Sequence, residues 1–340
     1  MKTFIRLFVA SAVAALAPVA VSAQQTPEQF YKGKTVSVYI GFSPGGTYDY
    51  FGRLIARHIG RHIPGNPTVI AQSMPGAGSF TLANWMTRIA PKDGTAIAIA
   101  SQTLAIEEVL KSPGVQFKTA DFNWIGRATS NVEINLVWHT SKAKKVEDAL
   151  NNDIPLASTG AGSPSEGYPK LLNGVLGTRF KLVGPYPGSM DGLLAMERGE
   201  TDGALTSWNT LYTVKNDWLR DNKVKVLVQY GLERTAEMPD VPTMVELGKT
   251  PEDKAMFAFY VSGGEVGRAF MAPPGVPADR VAALRKAFDE TVKDPELLVE
   301  IEKAKLDFHP ASGEKLQKLI AETAAVSPAV VARMQSLLQK

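Results

Sequence analysis

Between residues 35 and 100 the chain alternates between two hydrophobic periods, and this alternation limits the fold more than any other feature. Residues 35–41, 68–72 and 95–100 ("TAIAIA") are short runs rich in Val, Ile and Ala, bounded by Gly or Pro. The stretches between them are amphipathic at helical spacing. Phe51, Leu54, Ile55 and Ile59 share one face of 48–62, and Leu82, Trp85, Met86 and Ile89 share one face of 79–90. Strand, helix, strand, helix, strand predicts a mostly parallel sheet with right-handed crossovers.

The pattern returns after "NLVWHT" at 135–140. A helix near 145–151 leads to "IPLAST", a helix near 165–176, "FKLVG", a helix near 189–198, "DGALTSW", and "VKVLVQY" at 224–230. Residues 237–254, rich in Pro and charge, read as a connection between lobes. Apolar "FAFYVSG" and "RAFMAP" follow, then a helix after the Pro-Ala-Asp turn at 277–279 and a last helix restarting at Ser327-Pro328, a cap residue and a first-turn proline. A chain of 340 residues exceeds one small core. The expectation is an α/β chain of two lobes, each a mostly parallel sheet flanked by helices, with a cleft between them.

Composition narrows the partners. Lys plus Arg number 37 against 34 for Asp plus Glu, too balanced for the clustered cations that nucleic acid requires. With no cysteine, disulfides, thiol nucleophiles and Cys-ligated metals are excluded. The N-terminus reads as an export signal over residues 1–23: Lys2 and Arg6, the apolar core "LFVASAVAALA", and Val21-Ser22-Ala23 as a small-residue cleavage site. The apolar run is shorter than the roughly 20 residues that span a bilayer. A mature, exported protein starting near Gln24 is expected, with formal charge reduced from +3 to +1.

Four strand-to-helix junctions carry glycine: Gly45-Gly46, "PGAGS" at 75–79, "GAGSPSEG" at 160–167 and "YPGSM" at 186–190. Ligands of open α/β sheets sit at the carboxyl ends of parallel strands. Glycine there lets backbone N–H groups converge on an anion, and the helix N-terminus adds about half a positive charge. Any one junction reads as a tight turn; four together point to a shared cleft.

Nucleotide and catalytic motifs fail. "GKT" occurs at 33–35 and 248–250, but Glu28 and Thr243 stand where a P-loop needs glycine, and Lys34 precedes a strand. "GAGSFT" and "GAGSPS" lack the last glycine of the dinucleotide fingerprint. No G-x-S-x-G elbow is present, and Ser79, Ser163 and Ser189 have no neighbouring histidine. His58 and His62, four apart, lack the H-E-x-x-H glutamate and read, with Arg57 and Arg61, as a solvated basic helix face. Neither a cofactor, a metal nor a catalytic group is called for, and the chain is not expected to be an enzyme.

"FYKGKTVSVYIGFSPGGTYDYFGRLIARHI", "MPGAGS", "APKDGTAIAIAS", "STGAGSPSEGYPKLLNGVLG", "VGPYPGSMDGLLAMERGETDGAL", "MPDVPTMVELG" and "MAPPGVPADRVAALRKAFDETVKDPE" occur in this order over about residues 30–310. Together they resemble the periplasmic solute receptors of tripartite tricarboxylate transporters, the Bug-type receptors. The resemblance implies a type II-like periplasmic-binding-protein fold: lobe 1 from 30–130 plus 256–310, lobe 2 from 131–250, and a C-terminal helical segment at 311–340. It implies a monomer in the periplasm that closes on a small organic carboxylate and delivers it to membrane transporter subunits. In such receptors main-chain amides and water in the glycine loops hold the carboxylate, and charged side chains contribute little.

Carried onto this chain, the first loop is Ser43, Gly45, Gly46, Thr47, Tyr48 and Asp49, the second Thr159, Gly160, Gly162, Ser163 and Ser165, and the third Tyr186, Gly188 and Ser189. Gln102, Asp202 and Trp208 are further cleft candidates. Tyr48, Tyr186 and Trp208 either wall a ring-bearing acid or pack beneath the loops. A periplasmic hydrolase using a glycine-flanked serine, and a sensing receptor for a signalling kinase, remain the alternatives.

Overall fold

In the computed structural model, which describes residues 25–323 and 325–338, the expected alternation is present with boundaries close to those of the sequence pattern. The export signal expected at 1–23 lies outside the described residues. In chain order the strands are β1 (Thr35–Ile40), β2 (Thr68–Ser73), β3 (Ala96–Ile99), β4 (Asn123–Arg127), β5 (Glu133–Trp138), β6 (Ile154–Ala157), β7 (Phe180–Val183), β8 (Gly203–Ser207), β9 (Val224–Tyr230), β10 (Ala269–Ala272) and β11 (Ala311–Ser312). They form two sheets, ordered β11-β4-β10-β3-β1-β2 and β7-β6-β8-β5-β9.

The sheets are mixed, which corrects the mostly parallel expectation. β1 pairs in parallel with β2 and β3, and β6 with β7 and β8, as the repeated strand-helix unit requires. The strands that enter after a crossing between lobes are antiparallel: β10 against β3 and β4, and β5 against β8 and β9. A strand arriving from the other lobe is freed from the crossover-helix rule.

Period-two alternation puts helices on both faces of the first sheet. Val36, Val38, Ile40, Ile97 and Ile99 face one core with helices Thr47–Ile59, Ala278–Thr291 and Pro295–Lys303. Ala96 and Ala98 face the other, beside Phe80, Leu82 and Met86 of helix Phe80–Arg88. The small Ala side lets that helix lie close. The second sheet likewise separates two apolar clusters, one centred on Tyr168 and Tyr230 and one on Leu193, Met196 and Trp218.

Two crossings, 128–132 and 262–268, run side by side. Ala128 N donates to Arg268 O (3.0 Å), Arg268 N to Thr129 O (2.9 Å) and Asn131 N to Gly264 O (3.0 Å). Residues 237–248 do not connect the lobes. They pack on the second sheet, where the Gln229 side chain donates to Met238 O (2.9 Å) and Val241 O (2.7 Å) and Met244 is fully buried. Helix Pro251–Val261 also packs there, through Met256, Phe257, Tyr260 and Val261. The stretch 256–261 thus packs with lobe 2, because its apolar face fills the Tyr168–Tyr230 cluster. The segment after 311 divides: helix Gly313–Thr323 lies on β4, and helix Pro328–Leu338 on helices Pro164–Leu176 and Pro251–Val261.

His58 and His62 are not on a solvated face. His58 is buried and contacts Glu300 Oε1 (2.7 Å), while His62 Nε2 meets Asp294 Oδ2 (2.7 Å). Arg61 bridges Asp294, Glu296 and His58 Nδ1. His58, Asp294 and Glu296 come close enough together to suggest a metal, yet a guanidinium already supplies the positive charge at their centre. The network ties helix Pro295–Lys303 to helix Thr47–Ile59.

Candidate functional site

Three helices begin at the seam between the lobes: Thr47–Ile59 from the first, Pro164–Leu176 and Ser189–Glu197 from the second. Each follows a strand of the parallel part of its sheet, so connectivity delivers all three N-termini to the carboxyl-end crevice. Their N-cap residues are Gly46, Ser163 and Gly188, and none makes a side-chain capping bond. Unfilled N-termini leave donors and partial positive charge directed out of the helix.

These termini surround a cavity of about 40 Å³ lined by Ser43, Gly46, Thr47, Tyr48, Thr159, Pro164, Ser165, Ser189 and Ser207, with Phe42 and Leu205 as apolar wall and Glu133 and Arg268 as its charged members. Phe42 and Thr159 also border an open mouth of about 280 Å³ that includes Gly76–Gly78 and Tyr186. A hollow of about 340 Å³ adjoins the second glycine turn, lined by Ala161 and the expected Gly162 together with Glu107, Glu166, Lys170 and Tyr260. Its one lining cation among the described residues, Lys170, is already paired with Glu166 (3.0 Å), and Glu107 adds a second carboxyl group, so size does not identify the site here.

The lobes touch across the cavity. Ser43 Oγ donates to Asp191 Oδ2 (2.6 Å), Thr47 Oγ1 and Ser207 Oγ are 3.2 Å apart, and Thr103 Oγ1 donates to Gly162 O (2.9 Å). Glycine makes the approach possible. A Cβ on Gly78 would lie 2.7 Å from Ser163 N, and one on Gly46 would lie 2.9 Å from Ser189 Oγ. Gly162 abuts the Phe80 ring and Gly188 abuts Ser43 Oγ in the same way. The glycine loops therefore face one another as well as the cavity.

Ser43, Gly46, Thr47, Tyr48, Thr159, Ser165 and Ser189 of the expected residues line the cavity. Gly45 and Asp49 shape the first turn: Gly45, at φ +101°, donates its N–H to Asp49 Oδ2 (3.0 Å), and Arg53 Nε holds Oδ1 (2.7 Å). Gly160, Gly162 and Ser163 build the second turn, with Ser163 Oγ donating to Gly160 O (2.7 Å). Tyr186 stands at the mouth, its hydroxyl 3.3 Å from Glu200. Gln102 braces from behind: its N–H donates to the Tyr48 hydroxyl (2.9 Å) and its Oε1 accepts from Arg268 Nη1 (2.9 Å).

Two candidates lie away from the cavity. Asp202 precedes β8 and accepts from Ser141 Oγ (3.0 Å), whereas Ser207, at the other end of that strand and roughly 16 Å on at strand rise, reaches the cavity. Trp208 packs against Tyr212 and lines a separate hollow beside the crossing strand at 130–132.

Arg268 and Glu133 were not foreseen. Arg268 is 1% exposed and lies over the Tyr48 ring at 3.9 Å. Its Nε and Nη2 donate to Thr47 Oγ1 (3.1 and 2.8 Å), and Nη2 stands 3.5 Å from Glu133 Oε1. Asn131 Nδ2 also donates to that oxygen (2.8 Å). Burial pushes the Glu133 carboxyl upward, with the Arg268 guanidinium and the Asn131 amide opposing the rise. The signal in the sequence was a charge at the start of each of two apolar strands, "EINLVW" and "RAFMA", because a charge entering a core needs a partner.

Fold and site together define a two-lobed solute-binding protein. Residues 53–335 match the family model described as tripartite tricarboxylate transporter family receptor, and the chain belongs to that family. Among curated relatives, it is 23% identical over 345 residues to a UPF0065 protein in the gbd 5' region of Cupriavidus necator, covering 97% of this chain and 96% of that one. It is 23% identical over 271 residues to protein BugT of Bordetella pertussis, covering 77% and 78%. Among solved structures, periplasmic binding protein BugD superposes with TM-score 0.71 at 22% identity, covering 91% of this chain and 98% of that one. MatC from Rhodopseudomonas palustris, with bound malate, gives 0.67 at 22%, covering 90% and 99%. An R. palustris protein with adipate gives 0.67 at 18%, covering 89% and 98%.

Proposed function

We propose that this periplasmic receptor holds a small organic carboxylate in the Ser43–Ser189 cavity, that lobe closure buries it, and that the closed form is what the membrane subunits read. The carrying observation is the convergence of three uncapped helix N-termini on one cavity also lined by the hydroxyls of Ser43, Thr47, Thr159, Ser165, Ser189 and Ser207. Each terminus offers about half a unit of partial positive charge and free N–H donors to a carboxylate, shared with the first-turn Asp49, Glu166 and Asp191. Relatives of the same fold are described with malate and with adipate, both carboxylates.

The protein acts by binding, not by turnover. Ser79 Oγ accepts from Ser101 N (3.0 Å) and Ser163 Oγ donates to Gly160 O (2.7 Å), and although Ser189 faces the cavity, no histidine is among the described residues that line it. Processing after Ala23 would release the receptor to the periplasm. A thermal-shift panel of mono-, di- and tricarboxylates tests the reading. A solute at 100 times its Kd should stabilise by about 2.7 kcal/mol. Flat melting curves across the panel, or product formation from any bound acid, contradict it.

A further inference from the structure

Glu133 is 5% exposed, lines the inter-lobe cavity, and uses only one of its oxygens. Oε1 receives Asn131 Nδ2 and Arg268 Nη2; no donor among the described residues reaches Oε2. Oε2 is not among the sealed, unpartnered atoms of the core, so it is open to the cavity, where a donor on the solute can reach it. The guanidinium does not reach it: four of the five Arg268 N–H groups face Thr47, Gln102 and Glu133, and its plane is stacked on Tyr48. Asp191, bonded to Ser43 at the cavity edge, adds a second negative group, and Asp49 is answered by Arg53.

We infer that the solute is a carboxylate whose other end carries an ammonium group, and that Glu133 is the residue that selects it. The inference rests on the proposed carboxylate reading and deepens it. The helix N-termini favour one carboxylate, and Arg268 and Glu133 cancel each other. A second carboxylate would then face Glu133 in a cavity with no free cation among the described side chains that line it. An ammonium in its place supplies the donor that Oε2 lacks and brings the charge near zero. A hydroxyl supplies the donor alone.

The test compares matched probes by titration calorimetry at pH 7: fatty acids from acetate to hexanoate, diacids from oxalate to adipate, the ω-amino and 2-amino acids of the same lengths, and 4-hydroxybutyrate. In the native protein an ω-amino acid should bind at least tenfold more tightly than the diacid or the 2-amino acid of equal length, with 4-hydroxybutyrate weaker than 4-aminobutyrate. Glu133→Gln should remove that preference while leaving diacid affinity equal or improved. A merely structural role for Glu133 would weaken every series alike. The inference is overturned if diacids or 2-amino acids bind the native protein as well as ω-amino acids do, or diacids better as pH falls, or if Glu133→Gln lowers all series together. The native-protein comparison decides the matter even if that variant does not fold. Absence of binding in every series would instead remove the carboxylate reading beneath it.

Discussion

Gly78→Ala separates closure from folding. Gly78 adopts φ +59°, and a Cβ there would lie 2.7 Å from Ser163 N, 2.8 Å from Gly162 C and 2.9 Å from Ala161 O. All three are backbone atoms of the opposite lobe, so no rotamer change relieves them. Ordinary contact requires the loops to part by about 0.7–1 Å. Overfilling a packed site costs about 1–3 kcal/mol, and this cost exists only when the lobes meet. Solute affinity should therefore fall about 5- to 150-fold. The left-handed backbone costs alanine a further 1–2 kcal/mol or so, but open and closed states share it, so it lowers stability without touching Kd. Gly199→Ala is the control: φ is +76° and nothing lies within 4 Å of the added atom. Calorimetric titration with the tightest acid, beside urea unfolding without solute, should show both variants destabilised and only Gly78→Ala weakened in binding. Binding by Gly78→Ala within twofold of native, or equal weakening in Gly199→Ala, refutes the argument that glycine is required for the lobes to meet.

Other outcomes follow from single contacts. Ser43→Ala removes a hydrogen bond to the Asp191 carboxylate that joins the lobes and should weaken solute binding about tenfold, read by the same titration. Gly46→Val places branched carbon against Ser189 Oγ and should sharply reduce affinity while the far-ultraviolet circular dichroism stays native. Burial pushes Asp294 upward, but bonds from His62, the Glu296 N–H and Arg61 outweigh it and hold the carboxyl at about 2 against an ordinary 3.8. Its stabilisation is complete above that ordinary value and lost as pH falls through 2. Asp294→Asn should thus lower unfolding free energy by about 2 kcal/mol at pH 7, and the gap should close between pH 4 and pH 2. A gap independent of pH in urea titrations would show that the ion network does not set it.

The parallel units were legible because each combines a period-two strand with a period-3.6 helix, and β1, β6 and their following helices lie within a few residues of expectation. The antiparallel strands were less so. β4 and β5 flank a crossing, and direction relative to distant neighbours leaves no local mark. Helix Pro251–Val261 was hidden inside a Pro-rich stretch, although Thr250, Pro251 and Asp253 form a capping box with a first-turn proline. The glycine loops announced the cavity through their conformational needs. Arg268 and Glu133 stand 135 positions apart, and their meeting depends on the side-by-side crossings. Asp202 and Ser207 show the same limit at short range: only the strand's direction decides which end faces the solute.

The most direct measurement is a crystal structure of the protein with its tightest acid bound. The account predicts one solute carboxylate enclosed between Gly46–Tyr48, Ser165 and Ser189, with main-chain N–H groups or water bridged to them as its donors. A solute bound in the Glu107–Tyr260 hollow, or one whose carboxylate is clamped by Arg268 with those helix starts facing bulk solvent, would contradict it.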